Sequence, residues 1–147
     1  MAKRSERLQP VQKVAENREQ DAAKAMGKAS IHVEELEIRL TELIAFREEY
    51  ARNFLSAGAA GMGVSRMREY QTFISRIDQA IAYQQTMIEQ GKRAYAERQR
   101  VWRHLHSRVL AMDKLATRYR QQERAYAEQR EQKETDERAQ RVSRIEL

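Results

Sequence analysis

The side chains able to do chemistry in this sequence are few, and their spacing works against it. His104 and His106 stand two apart. On a helix that separation points them to different sides, so they cannot share a metal ion. His32 is alone, and all three histidines read as solvated. Glu34, Glu35 and Glu37, like Glu48 and Glu49, are ordinary charges on a helix face. Gly61-Met62-Gly63 resembles a fragment of a phosphate loop, but no strand precedes it and no Gly-Lys-Ser/Thr follows. There is no cysteine, which excludes disulfides, thiolate chemistry and cysteine-ligated zinc. Ser, His and Asp all occur, yet a two-helix rod offers no enclosed pocket that would exclude water or hold a near-attack geometry. The expectation is a protein with no catalytic site, no metal and no cofactor, and not an enzyme.

What remains is charge. Residues 1–91 hold 13 basic and 13 acidic side chains, whereas residues 92–147 hold 15 and 9 and so carry the whole net charge of +6. The densest stretch, 92–127, has 10 basic against 3 acidic. Arg93, Arg98, Arg100, Arg103, Arg108, Arg118, Arg120 and Arg124 are the right chemistry for phosphates and equally for an acidic protein surface. Trp102, Tyr95, Tyr119 and Tyr126 lie among them at the spacing of a helix seam, which suits packing better than base stacking. A nucleic-acid binder is disfavoured because 1–91 is neutral and no reading element is present.

The elements that must position these groups are helices. Charged residues make up 34% of the chain, and glycine and proline together number six. Such a composition favours a long helix or coiled coil. Three of the five glycines, Gly58, Gly61 and Gly63, cluster between Ser56 and Ser65 and mark the one break. Pro10 suits the first turn of a helix, and Ser65 suits a cap. The spacing predicts helix 1 over about 9–56, a Gly-rich loop over 57–63, helix 2 over about 64–140, and a charged C-terminal tail, all within one coiled-coil domain, 1–147. Gly27 and Gly91 inside these spans mark soft points. The fold class is all-α, a long two-helix antiparallel coiled-coil hairpin.

Alternating steps of three and four from Met67 to Tyr126 visit eighteen positions, fourteen of them apolar or aromatic; the exceptions are Gln84, Gly91, Arg98 and Glu123. A repeat held this long keeps one seam on a partner helix. Helix 1 answers with Val33, Leu36, Leu40, Leu43, Arg47, Tyr50 and Phe54. Before these come Leu8, Val11, Ala15, Ala22, Ala25 and Ala29, with a stutter between Ala29 and Val33. Beside the helix 2 seam one flank is apolar (Phe73, Ala80, Met87, Ala94, Val101) and the other polar (Gln71, Asp78, Gln85, Lys92, Gln99). Phe46 should lie close to Phe73, both partly exposed, with Tyr50 and Ile77 beside them. This flank reads either as a widening of the seam or as a docking surface for another protein, and exposed aromatics on a hairpin favour the second. The last twenty residues alternate in charge and read equally as a solvated helix or a frayed tail.

The block Leu43-Ile44-Ala45-Phe46-Arg47-Glu48-Glu49-Tyr50, the Gly-rich turn, Tyr70-Gln71-Thr72-Phe73-Ile74 and Ile77-Asp78-Gln79-Ala80-Ile81 resemble the flagellar FliJ family. Arg7-Leu8-Gln9-Pro10-Val11 and Asp21-Ala22-Ala23 are similar to that family's N-terminus. The resemblance implies a γ-stalk-like coiled coil of the flagellar type III protein export apparatus. Implied partners are the hexameric export ATPase, whose ring assembly the family promotes, the cytoplasmic domain of the export gate membrane protein, and export chaperones. Carried over to this sequence, the family's gate-binding patch falls on Arg39, Leu43, Phe46, Tyr50, Phe73, Ile77, Ala80 and Gln84. On physical grounds alone, Arg98, Arg100, Arg103, Arg108, Arg118, Arg120 and Arg124 are assigned to the ATPase ring. The expected location is cytoplasmic, peripheral to the inner membrane at the flagellar base, with no membrane span and no nucleic acid bound. The alternatives are a nucleic-acid-binding or passive scaffold coiled coil, or the equivalent stalk of a virulence type III secretion system.

Overall fold

The computed structural model describes residues 2–58, 61 and 63–146. Two helices account for nearly all of them: α1, Arg4–Gly58, and α2, Val64–Glu146. They pair antiparallel, as residues rising along α1 meet residues falling along α2. The loop expected over 57–63 is shorter, because α1 runs to Gly58. Ala59, Ala60 and Met62 lie outside the described residues, and with Met62 so does the middle of the Gly-Met-Gly motif. Gly61 has φ +81°, a left-handed conformation natural only to glycine, and its N–H donates to the Gly58 carbonyl at 3.1 Å.

The helix ends depart from expectation in three places. Helix α1 starts at Arg4 and not near residue 9, so Pro10 is inside it and not in its first turn. An internal proline removes one backbone hydrogen bond and crowds the carbonyl four residues back. The turn before it is held from across the hairpin. Arg4 lies over the Tyr119 ring, 5.8 Å from its centroid, and Ser5 bonds Glu123. At the start of α2 the Met67 N–H donates to the Gly63 carbonyl at 3.3 Å, so Gly63 holds the cap position expected of Ser65. Helix α2 reaches Glu146, and the charged C-terminal stretch is a solvated helix, exposed at every described residue from Arg124 onward.

Contacts divide the chain into two units, Ala22–Trp102 and Met1–Asp21 with Arg103–Leu147. In the loop-bearing unit, Val33, Leu36, Leu40, Leu43, Arg47, Tyr50 and Phe54 of α1 are all half-buried, as their spacing predicts. The buried residues there are on α2: Ile77, Gln84, Ile88 and Gly91. Full burial of an isoleucine contributes roughly 1.5–3 kcal/mol. Gln84 keeps its place in an apolar seam because its side-chain amide donates to the Leu36 carbonyl at 3.0 Å. Gly91 is no soft point. A Cβ there would meet Leu36 Cδ1 at 3.2 Å and Val33 Cγ2 at 3.3 Å, so its missing side chain is what lets α1 approach. Gly27 has open space around it. Arg98, predicted in the seam, is exposed, and the next residue, Gln99, is half-buried in its stead.

In the terminal unit the inward residues of α2 are Leu105, His106, Val109, Met112, Leu115, Ala116, Tyr119 and Glu123, with Val109 and Ala116 buried. On α1 the seam passes through Ser5, Leu8, Gln12, Ala15 and Glu19, all half-buried. Val11, predicted inward, is exposed, and Gln12 takes its place, its amide donating to Asp113 Oδ1 at 3.2 Å.

Candidate protein-docking surface

Five rings line up near the loop, from Phe54, Tyr50 and Phe46 of α1 and Tyr70 and Phe73 of α2. Helical spacing puts the α1 rings four apart on one side of the helix, and the antiparallel seam sets the α2 rings between them. Phe54 stacks on Tyr70 with centroids 3.6 Å apart and planes at 11°. Tyr70 also stacks near Tyr50, at 5.6 Å and 9°. Tyr50 meets Phe73 at 4.4 Å and 44°, and Phe73 meets Phe46 edge-on at 6.2 Å and 68°. Such pairs contribute roughly 0.5–1.5 kcal/mol each beyond area burial. The ladder ends in the open, since Phe46 is 48% and Phe73 37% exposed.

The other flank of this unit is ionic. Arg47 forks onto Asp78, with Nε on Oδ1 and a second nitrogen 3.3 Å from Oδ2. Lys92 Nζ lies 3.7 Å from Glu37 Oε1. The hydrogen bond from Arg47 holds the Asp78 carboxyl below its usual range and raises the guanidinium in turn. One flank is thus satisfied by its own ion pairs, and the other presents carbon.

The eight residues carried over for gate binding do not share one exposure. Phe46, Phe73, Arg39 and Ala80 are exposed, and Leu43 and Tyr50 are half-buried beside them. Ile77 and Gln84, each 6% exposed, face α1 and hold the flank from beneath. Phe54 and Tyr70, which join the ladder, are ordinary seam positions by spacing. Only their approach across the hairpin reveals the stack.

All seven arginines assigned to the ATPase ring are exposed. Arg98 and Arg100 belong to the loop-bearing unit, where Arg100 is tied to Glu97 three residues back, at 2.7 Å. Arg103, Arg108, Arg118, Arg120 and Arg124 belong to the terminal unit. There Arg108 and Arg18 rim a depression floored by Val11, Val14, Leu105 and Met112. His106 is not merely solvated: its Nδ1 lies 2.9 Å from Glu19 Oε1. Among the described residues no cluster of His, Asp and Glu is arranged to hold a metal ion, and no helix is long and apolar enough to cross a membrane.

Two helices zipped along one seam, with aromatic carbon left on one flank, define a coiled-coil hairpin whose usable chemistry is surface contact. Over residues 4–145 the chain matches the family described as Flagellar FliJ protein. It is 28% identical over 136 residues to the flagellar FliJ protein of Escherichia coli K12 and 26% identical over 136 residues to that of Salmonella typhi, covering 92% of each chain in both cases. No solved structure matches. The chain belongs to the flagellar FliJ family, and with it to the flagellar export apparatus.

Proposed function

We propose that this chain is a non-enzymatic, stalk-like subunit of the flagellar type III export machinery. It works in the cytoplasm, peripheral to the inner membrane at the flagellar base. It docks on the ring of the export ATPase, promotes assembly and turnover of that ring, contacts the cytoplasmic domain of the export gate, and handles export chaperones. The observation that carries this reading is the ring ladder ending in exposed Phe46 and Phe73, on the flank where the family resemblance puts gate contact. Arg39, Leu43, Tyr50 and Ala80 extend that surface, and Ile77 and Gln84 hold it rigid. The exposed arginines Arg103, Arg108, Arg118, Arg120 and Arg124, with Arg98 and Arg100, meet acidic surface on the ATPase.

Two measurements test the reading. Binding of the gate's cytoplasmic domain is expected to fall on Phe46→Ala with Phe73→Ala while helical content stays unchanged; undiminished affinity removes the gate assignment. ATP hydrolysis by the cognate export ATPase is expected to rise when this chain is added. That rise should be lost when Arg108, Arg118 and Arg120 become Glu, and stimulation that survives the reversals refutes the basic contact.

A further inference from the structure

A second repeat runs along the face of α1 turned away from α2. Ile31, Glu35, Ile38, Glu42, Ala45 and Glu49 follow one another in steps of four and three, and all six are exposed. These are the steps of a helix seam, yet the seam that packs on α2 is a different set, Val33, Leu36, Leu40 and Leu43. Ile31 is 56% and Ile38 59% exposed. One exposed isoleucine is ordinary. Here two stand a heptad apart with Glu35 between them, and the row from Ile31 to Glu49 is a stripe about 27 Å long at the helical rise.

The hairpin does not neutralise the stripe. Glu37, nearer α2, meets Lys92, but Glu35, Glu42 and Glu49 have no ion-pair partner among the described residues. Residues 31–49 contain six carboxylates against two arginines, and one of those, Arg47, is held by Asp78. Continued in the same steps, the stripe meets Lys28 and Lys24 at one end and Arg52 at the other. Positive charge at both ends disfavours a cationic occupant beyond them and so sets its length and register.

We propose that this stripe docks one basic amphipathic helix of a partner protein, with Leu or Ile alternating with Lys or Arg along its seam, as a local third helix of the coiled coil. Its apolar residues cover Ile31, Ile38 and Ala45, and its cations meet Glu35, Glu42 and Glu49. The stripe borders the Phe46–Phe73 flank, with Glu42 and Glu49 four and three residues from Phe46, but it is a different row of residues and does not depend on the role proposed for that flank.

The test uses the full chain and two synthetic peptides of one composition. One peptide alternates Leu and Lys in steps of four and three over about three heptads; the other has the same residues in scrambled order. By fluorescence anisotropy the patterned peptide is expected to bind roughly tenfold tighter than the scrambled one. Ile38→Ser and Glu42→Lys should each remove that advantage, and Leu110→Ser, at an exposed apolar residue of the other unit, should leave it intact. Equal binding of the two peptides, or an advantage that survives both stripe substitutions, overturns the proposal. Sedimentation of the chain alone should show no self-association dependent on Ile38. A dimer lost on Ile38→Ser would make a second copy the occupant and overturn the basic helix.

Discussion

Glu123 closes the amino-terminal end of α1 from the opposite helix. The backbone N–H of Ser5 donates to its Oε1 at 3.1 Å, and the Ser5 hydroxyl donates to Oε2 at 2.7 Å. The first-turn N–H groups of a helix have no partner within it, and a carboxylate there also faces the positive end of the helix dipole. A charged residue in the middle of an apolar repeat thus has a structural task, as a cap supplied by the other helix.

Removing that cap should loosen only the end it holds. In Glu123→Ala, backbone amides from Ser5 to about one turn beyond are expected to exchange faster with solvent, while those around Val109 and Ala116 keep their protection. Hydrogen exchange read by mass spectrometry checks this. Uniform loss of protection would show that Glu123 supports the whole unit.

The same carboxyl and Asp78 set an acid limit. The Ser5 hydroxyl, and then its N–H, hold Glu123 below its usual value of 4.5; the hydrogen bond from Arg47 holds Asp78 below 3.8. A lowered folded-state value means that each contribution is complete above the usual value and is lost as pH falls through the lower one. Asp78 is exposed and Glu123 half-buried at the end of the seam, so the expected signs are local: faster exchange at Ser5 and a freed Arg47 below about pH 4. Glu123→Gln and Asp78→Asn should each remove the matching pH dependence. Acid titration followed by NMR reads both.

The two mid-helix glycines should respond oppositely to filling. At Gly27 a Cβ meets nothing within 4 Å, so Gly27→Ala is expected to stabilise the chain by about 1 kcal/mol through helix propensity. At Gly91 the same gain is offset by crowding against Leu36 and Val33. Gly91→Ala should be near neutral, and Gly91→Leu should destabilise by about 1–3 kcal/mol through overpacking. Thermal unfolding by circular dichroism ranks the three.

Gln84 should matter more for alignment than for stability. Gln84→Ala opens a gap and leaves the Leu36 carbonyl without the amide, at a cost of about 1–3 kcal/mol. Gln84→Leu restores apolar packing and is expected to recover most of that loss. A single buried polar residue can fix the register of paired helices, so the leucine variant should show a broader distribution of distances between spin labels at positions 44 and 85. An unchanged distribution would deny Gln84 that role.

Much of this architecture is legible along one dimension. A 3.5-residue apolar repeat on each side of a glycine cluster requires two helices that bury one stripe, and Val33 through Phe54 on α1 follow it residue by residue. The exposure of Phe46 and Phe73 is legible for the same reason, because a two-helix seam cannot cover its flank. Local spacing misleads where neighbours compete for the seam. Val11 and Gln12, or Arg98 and Gln99, differ by one residue, and the phase is chosen by what stands across the hairpin.

The residues that break the pattern acquire their work only when the two helices are paired. Glu123 caps α1, Gln84 bonds the Leu36 carbonyl, Gly91 admits Leu36 and Val33, and His106 meets Glu19. Each pairing joins positions distant along the chain. A polar or missing side chain in a seam has no meaning until its partner is known. Local periodicity suffices to pair two helices and to choose the stripe they bury; the register and the polar contacts came from the fold, because they belong to pairs.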